Sequence, residues 1–294
     1  MKKTRKQILS LVVLSIIFLV GCNNSKKTEE ETTTSNSTPT VTTAPTATIA
    51  PSAATEESVT AQKTLVLPLT SNDSGKVMIQ TVSKSTAYPY NSYIITSSNG
   101  EVVVLDPTNM PSKDIIDLNP AAIISTHGHP DHTDANFVSS YDAKTVLYTK
   151  EDFDLKDFHV YTIYSSHSGD TISTSNIITV LEVDGIRIAH MGDVGQSKLT
   201  EEQLEELGSI DIAFMQFENS YSNMSVFNLK GFNLIEQLNP KIIIPTHYSQ
   251  VTLTYLVDKY GEITEYDNVL TISKEELAED TLNVYRILNN HIYN

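Results

Sequence analysis

The stretch IISTHGHPDHTDAN (residues 123–136) largely decides the fold class and chemistry of this 294-residue chain. It places His127, His129, Asp131 and His132 within six residues, directly after an apolar run. In an extended segment after a strand, residues i and i+2 face the same way, so His127 and His129 can bind one ion. Asp131 and His132, one turn further on, are aimed at a second. The alternative is a polar loop whose histidines face solvent, but the spacing His-x-His-x-Asp-His favours a metal site.

Imidazole and carboxylate are borderline ligands that suit zinc, with manganese and iron as the other candidates. Within the motif, Gly128 permits close backbone approach and Pro130 stiffens the turn. The sequence therefore predicts divalent metal ions as cofactors, and zinc is the expected one.

Runs rich in Val and Ile predict strands along much of the chain, and two dipeptides predict hairpin turns between them, Asn99-Gly100 and Asp184-Gly185. Thr200 and Gln203 form a capping-box pattern, which predicts a helix that Gly208 ends. These elements together indicate an α/β domain.

An order of helix, apolar strand and histidine occurs twice, in SKDIIDLNPAAIISTHGH (residues 112–129) and NLIEQLNPKIIIPTHY (residues 233–248). Both segments put ligand-type side chains after the carboxyl end of a strand, where open α/β sheets place their sites. The two histidine-bearing segments are therefore expected to lie close together.

Three further ligand-type residues follow the motif: His167 in SSHSGD, Asp193 in HMGD and His247 in PTHY. With them, the chain resembles the metallo-β-lactamase fold superfamily from Lys76 onward. The segments 185–215 and 238–248 are similar to the branch that includes L-ascorbate-6-phosphate-lactonase-like hydrolases.

The resemblance implies an αββα sandwich that holds two metal ions. His127, His129 and His167 would bind the first ion, Asp131, His132 and His247 the second, and Asp193 would bridge both, since a carboxylate has two oxygens. A metal-bound hydroxide would then attack a carbonyl or phosphoryl centre. Asp131 would also act in catalysis, by orienting that hydroxide or by passing a proton to the leaving group.

Several other residues have less certain roles. Asp106, after VVVL, is interpreted as a hydrogen-bonding support for the histidine motif, with a simple turn as the alternative. His190 is expected to pack or to support ligands, and His159 and His291 to be strand or surface residues. Tyr248 would touch substrate or pack.

The segment QFENSYSNMSVFN (residues 216–228, here the pocket segment) stands where close relatives carry a small, glycine-rich segment. Its residues Gln216, Glu218 and Asn219 predict a different pocket surface. The phosphorylated-sugar substrate of cytosolic relatives is therefore not transferred to this chain.

The first 21 residues predict a secretory signal, with a basic start and an apolar run from Ile8 to Val20. Leu19-Val20-Gly21-Cys22 resembles a bacterial lipobox, in which the cysteine is lipidated. An ordinary signal peptide and an uncleaved anchor are the alternatives. Cys22 is the only cysteine, so no intrachain disulfide is possible.

The predicted organisation is a signal peptide (1–21), a disordered Thr/Ser/Pro-rich tether (22–62) and a metallo-β-lactamase-fold domain (63–294). The first 21 residues contain four of the 20 Lys and Arg and none of the 36 Asp and Glu, so the mature chain would carry a net charge of −20. Such a surface argues against nucleic acid as a partner and leaves the lipid on Cys22 as the membrane attachment. The expected location is extracytoplasmic, on the cell membrane.

The prediction is an exported, lipid-anchored hydrolase of a small-molecule ester, lactone or phosphodiester. One alternative is a surface-tethered binding protein without turnover, although all seven ligand positions are filled. A β-lactamase is another, but the subclass with a cysteine ligand is excluded because the only cysteine is Cys22. A di-iron redox protein would usually need a flavin-bearing partner domain. The sequence leaves the oligomeric state open.

Overall fold

The computed structural model describes residues 67–83, 91–278 and 281–288. The predicted signal peptide, Cys22 and the tether lie outside the described residues, as does His291. No helix in the described ranges is long and apolar enough to cross a membrane.

Fourteen strands and four α-helices lie within the described residues. Most strands are short runs of Val, Ile and Leu, whose side chains pack well on a pleated sheet. The strands are Val77–Thr81 (β1), Tyr93–Thr96 (β2), Val102–Leu105 (β3), Ala122–Ser125 (β4), Lys144–Leu147 (β5), Asp152–Asp154 (β6), Phe158–Ser165 (β7), Asn176–Val183 (β8), Ile186–His190 (β9), Ile212–Gln216 (β10), Ile242–Thr246 (β11), Ile263–Tyr266 (β12), Val269–Ile272 (β13) and Asn283–Ile287 (β14). The helices are Ala135–Ser139 (α1), Glu201–Leu207 (α2), Lys230–Leu238 (α3) and Gln250–Tyr260 (α4).

The strands form two mixed sheets. The first has six strands in the order β13-β1-β2-β3-β4-β5, and the second has eight in the order β12-β14-β11-β10-β9-β8-β7-β6. In the first sheet β3, β4 and β5 are parallel, and in the second β9, β10 and β11 are parallel. β7 runs in the same direction as β9, because each is antiparallel to β8, which lies between them. The carboxyl ends of β7, β9, β10 and β11 therefore share one edge.

The apolar side chains form three layers of core. Ile212 and Phe214 of β10 belong to the core that joins the two sheets, and the alternate residues Ala213 and Met215 belong to the core beneath α2, α3 and α4. A smaller core packs Phe137 of α1 on the outer face of the first sheet. The layer order is thus helix, sheet, sheet, helix, as the αββα prediction required.

Most predicted local elements are confirmed. Asn99-Gly100 joins the antiparallel strands β2 and β3, with Gly100 at a φ of +90°. The capping box of α2 has both hydrogen bonds, from Gln203 N to the Thr200 side chain and from the Thr200 backbone to Gln203.

The helix predicted in residues 112–118 is wrong. The segment forms a single turn, closed by a hydrogen bond from Ile115 N to Ser112 O, and then runs irregularly to Pro120. Ile116 and Leu118 are both buried while Ile115 is 40% exposed. This i, i+2 burial fits an extended segment and not a helix, whose buried positions recur at i+3 or i+4.

Candidate metal centre

All seven predicted ligand residues follow the carboxyl ends of strands. The motif His127–His132 follows β4 of the first sheet, while His167, Asp193 and His247 follow β7, β9 and β11 of the second. Since the two sheets pack face to face, the strand ends bring together residues that are far apart in sequence. Both sheets therefore contribute to one centre.

Asp106, directly after β3, supports the histidine motif as predicted. Its buried carboxylate accepts hydrogen bonds from Thr126 N (2.7 Å), Thr126 Oγ1 (2.8 Å), His132 Nδ1 (2.7 Å) and His190 Nε2 (2.6 Å). Burial alone would raise the pKa of Asp106, but the neighbouring His190 and His132 outweigh it and hold this pKa well below its usual range. An ionised carboxylate can only accept hydrogen bonds, so the His132 Nδ1 that faces Asp106 must carry the proton. The Nε2 of neutral His132 therefore presents a lone pair to the centre.

The first group of ligand atoms comes from His127, His129, His167 and Asp193, and these atoms all lie within 4.8 Å of one another. His127 Nε2 is 3.1 Å from His129 Nδ1. Asp193 Oδ2 lies 3.5 Å from His127 Nε2 and 3.4 Å from His167 Nε2. This is the set predicted for the first ion, together with the predicted bridge.

The second group involves the other oxygen of Asp193. Oδ1 lies 3.4 Å from His132 Nε2 and 3.1 Å from His247 Nε2, and these two nitrogens are 3.1 Å apart. Asp131 Oδ2 is 3.6 Å from His132 Nε2 and 3.7 Å from His247 Nε2. One carboxylate therefore presents one oxygen to each group.

The donor set of this cluster fits a bound cation. Two of its buried polar atoms, His167 Nε2 and Asp193 Oδ1, have no hydrogen-bond partner. Burial lowers the pKa of His127 to about 3, so this imidazole stays neutral and offers a lone pair. Burial also lowers the pKa of His132, but Asp106 and Asp193 outweigh it and hold that pKa well above its usual value. The cluster therefore favours positive charge at its centre, which a proton or a metal ion can supply.

Two glycines explain how Asp193 and His167 reach the centre. Gly192 has a φ of +55°, and a Cβ there would lie 2.6 Å from Thr126 Cβ. A Cβ on Gly195 would lie 2.1 Å from the carbonyl oxygen of His167. Only glycine permits these close approaches, so the segment HMGDVG can pass directly beside the histidine-bearing strand ends.

Asn176 is a site residue that sequence reasoning missed. Its buried side chain accepts from Asp193 N (3.0 Å) and donates to Ser165 Oγ (2.7 Å) and Met191 O (3.0 Å). It thereby ties the backbone of Asp193 to the end of β7. A single asparagine at the start of a strand has no sequence signature, since its partners come from other strands.

Asn219 of the pocket segment has a role that the sequence did not assign. Its Nδ2 donates to Asp193 Oδ2 at 2.6 Å. Its backbone forms an isolated bridge with Met224, and its Oδ1 accepts from Tyr221 N at 3.0 Å. The carboxylate of Asp193 is therefore held from the side of the pocket segment as well.

His247 lies in strained backbone geometry beside a second missed asparagine. Its φ is +38°, a conformation that is costly for a non-glycine residue and that often marks functional sites. Asn91, buried two residues before β2, places Nδ2 3.1 Å from His247 Nε2.

The remaining candidates lie away from the cluster of ligand atoms. His190 supports Asp106, as predicted. His159 is part of β7 and pairs with Asp154 at 2.8 Å. Tyr248 accepts a hydrogen bond from Arg286 Nε and packs against the helix-side core. Gln216 was predicted to form pocket surface, and this is wrong. Its side chain is fully buried and donates to Val194 O.

A cavity of about 620 Å³ opens onto the centre. Its lining includes the ligand-type residues Asp131, Asp193 and His247 and the pocket-segment residues Glu218, Asn219 and Tyr221. A small molecule that enters the cavity therefore meets the cluster directly.

The family model described as Beta-lactamase superfamily domain matches residues 86–247, and this chain belongs to that family. No curated protein matches the chain significantly.

Two solved structures show the same fold. A protein named as a Zn-dependent hydrolase of the metallo-beta-lactamase superfamily, from Thermotoga maritima, is 21% identical with a TM-score of 0.52, over 71% of this chain and 99% of that chain. A protein named as a metal-dependent hydrolase, from Parabacteroides distasonis, is 18% identical with a TM-score of 0.51, over 74% of this chain and 96% of that chain. The metallo-β-lactamase fold predicted from the histidine motif is confirmed.

Proposed function

We propose that the chain is an exported, lipid-anchored, dinuclear metal-dependent hydrolase that cleaves an ester, lactone or phosphodiester. The observation that carries the proposal is the position of Asp193, whose two carboxylate oxygens face two separate groups of histidines. A structural ion pair would need only one partner, whereas four imidazoles converge on the carboxylate of Asp193. Membership of the family and the names of the structural neighbours agree with this activity.

His127, His129 and His167 would hold one ion, Asp131, His132 and His247 the other, and Asp193 would bridge them. Divalent ions held in this way supply Lewis acidity, which lowers the pKa of water from about 15.7 to roughly 7 and polarises the bond under attack. The chain needs no nucleophilic side chain of its own. Zinc is the expected metal because the donors are imidazole nitrogens and carboxylate oxygens, and manganese and iron accept the same donors.

The protein contributes orientation and proton handling. Asp106 fixes the tautomer of His132, and Asn176 and Asn219 fix the backbone and side chain of Asp193. Asp131 is partly exposed and lines the cavity, so its carboxylate is placed to orient a water molecule or to pass a proton to a leaving group.

Metal analysis of the full chain tests the proposal. We expect two zinc equivalents per chain by elemental mass spectrometry, falling to one or fewer in Asp193→Ala, because both groups lose a ligand. Asp258→Ala is the matched control, since Asp258 is an exposed residue of α4 remote from the cluster. A folded wild-type chain without metal after incubation with zinc would contradict the proposal.

The export and anchoring part of the proposal rests on the sequence of residues 1–22 alone. If Cys22 is lipidated, the chain will partition into the detergent phase of Triton X-114, and Cys22→Ala will move it to the aqueous phase. Recovery of the wild-type chain in the aqueous phase would exclude the lipid anchor, but it would not contradict the proposed hydrolase activity.

The resemblance to the ascorbate-phosphate lactonase branch does not extend to a phosphorylated sugar as the substrate in this proposal. A phosphoryl group of a sugar is usually bound by arginine, lysine or a helix N-terminus. Among the described residues, no lysine or arginine lines the cavity.

A further inference from the structure

Glu218 is held in a fixed position at the cavity. It follows β10, and its backbone N donates to the carbonyl oxygen of His247 at 2.8 Å. Its Oε2 accepts from Thr252 Oγ1 at 3.0 Å. Thr252 is fully buried in the first turn of α4, where it also takes part in the capping box with Ser249. The carboxylate is therefore oriented by a rigid part of the fold.

The charge of Glu218 is not neutralised within the described part of the chain. No lysine, arginine or histidine there forms an ion pair with it, whereas other exposed glutamates do have such partners, for example Glu236 with Lys259 and Glu206 with Lys150. An oriented carboxylate without a counter-ion, in a cavity, is available to a positively charged ligand.

Tyr221 adds an aromatic surface to the same cavity. Its side chain is 79% exposed, while its backbone N is fixed by Asn219 Oδ1. Its ring centroid lies 6.3 Å from that of His129, so the ring stands beside the metal centre. An open aromatic face attracts an ammonium group through its quadrupole.

We propose that the substrate carries a positively charged ammonium group close to the bond that is cleaved, bound by the carboxylate of Glu218 and the ring of Tyr221. This inference rests on the proposed hydrolase, because the scissile group must lie at the metal centre while the ammonium lies against the pocket segment. The charge of the cavity lining agrees with it, since no lysine or arginine occurs among the described lining residues, so no such cation there competes with an ammonium group for Glu218.

A binding measurement tests the inference without any turnover. The probes are choline and its uncharged isostere 3,3-dimethyl-1-butanol, titrated by calorimetry into the zinc-loaded full chain. We expect choline to bind about tenfold more tightly, the size of effect that a partly exposed charge pair and a cation–π contact give together. Glu218→Gln should reduce this ratio to about three, the share left to the ring of Tyr221. Glu205→Gln, which changes an exposed glutamate of α2, should keep it.

Using a ratio of affinities protects the test against a variant that folds less well, because both probes are affected alike. Equal affinity of the wild-type chain for the two probes, or a preference for choline that is undiminished in Glu218→Gln, would overturn the inference.

Hydrolysis of three matched thioesters separates this inference from the proposed function. They are acetylthiocholine, the neutral 3,3-dimethylbutyl thioacetate and the anionic S-acetyl-3-mercaptopropionate, each cleaved by water to acetate and a thiol. We expect kcat/KM to fall in that order. Turnover that is fastest on the anionic ester contradicts the charge preference and supports the hydrolase. No turnover of any ester, with the choline preference present, counts against the hydrolase and supports the ammonium site.

Discussion

The two sides of the metal centre differ in how tightly their residues are enclosed. His127, His132 and Asp193 form a buried side, each with 3% exposure or less, supported by Asp106 and Asn176. Asp131, His167 and His247 form an open side, with 12–15% exposure, facing the cavity and the pocket segment. The difference indicates that one side fixes the ligand geometry and the other admits substrate. A substitution on the buried side should therefore affect folding and metal binding together, and one on the open side mainly substrate binding.

The largest effect is expected for Asp106→Ala, which removes the common acceptor of His132 and His190. Loss of one partner from a buried charged network costs about 3–5 kcal/mol, and loss of a support for a metal ligand lowers affinity about 10–100-fold. Urea unfolding and zinc titration measure the two effects. Asp142→Ala, at an exposed position after α1, should change neither. A stable Asp106→Ala protein with wild-type zinc affinity would contradict the claim that the buried side fixes the ligand geometry.

Gly195→Ala should give the next largest effect, since its Cβ would lie 2.1 Å from the His167 carbonyl oxygen. The backbone must shift, which costs about 1–3 kcal/mol and moves His167. We expect lower stability in urea and weaker binding of one zinc ion. Wild-type stability and wild-type zinc affinity in Gly195→Ala would show that the close approach at Gly195 is unimportant.

Asn219→Ala tests the link between the pocket segment and the carboxylate of Asp193. Loss of the 2.6 Å hydrogen bond to Asp193 should weaken zinc binding about tenfold and leave the free energy of unfolding of the zinc-free protein within about 1 kcal/mol. Asn228→Ala, in the same segment but hydrogen-bonded only to local backbone and Ser225, is the matched control. Unchanged zinc affinity in Asn219→Ala would place this residue with the substrate surface alone.

Tyr221→Ala should have the smallest effect on the protein itself, because its side chain is 79% exposed. Stability should change by less than about 0.5 kcal/mol, as for most surface substitutions. The preference for choline over its uncharged isostere should fall about threefold, which calorimetry can resolve. A large loss of stability would show that the ring packs against the fold and is not open to ligand.

The clustering of the seven candidate ligand residues could be predicted from the sequence because their pattern is local. Successive candidates from His127 to His132 are one or two positions apart, and His167, Asp193 and His247 each stand after a recognisable strand. The supporting amides could not be predicted. Asn91, Asn176 and Asn219 act through contacts with other strands and loops, and an isolated asparagine looks like any turn residue. They become visible only when the two sheets are assembled.

The helix predicted in residues 112–118 was wrong for a related reason. Alternating and helical patterns are hard to tell apart in a short segment, and Ile115, Ile116 and Leu118 fit both. The tertiary environment decided between them, since the outer face of the first sheet accepts Ile116 and Leu118 and leaves Ile115 in solvent. The helix expected in NLIEQLNP is confirmed as α3, where Leu234, Ile235 and Leu238 are buried at helical spacing.

The contribution of both sheets to one centre has a consequence for the folding of this chain. The histidine motif can bind an ion in the unfolded chain through neighbouring residues, but the complete ligand set exists only after β7, β9 and β11 have packed against the first sheet. Under the proposed function, metal binding is thermodynamically linked to docking of the two sheets. Free zinc at a thousand times its dissociation constant would add about 4 kcal/mol to the free energy of unfolding, and binding to the unfolded histidine motif would reduce that gain. Depletion of metal by a chelator would remove this contribution to stability.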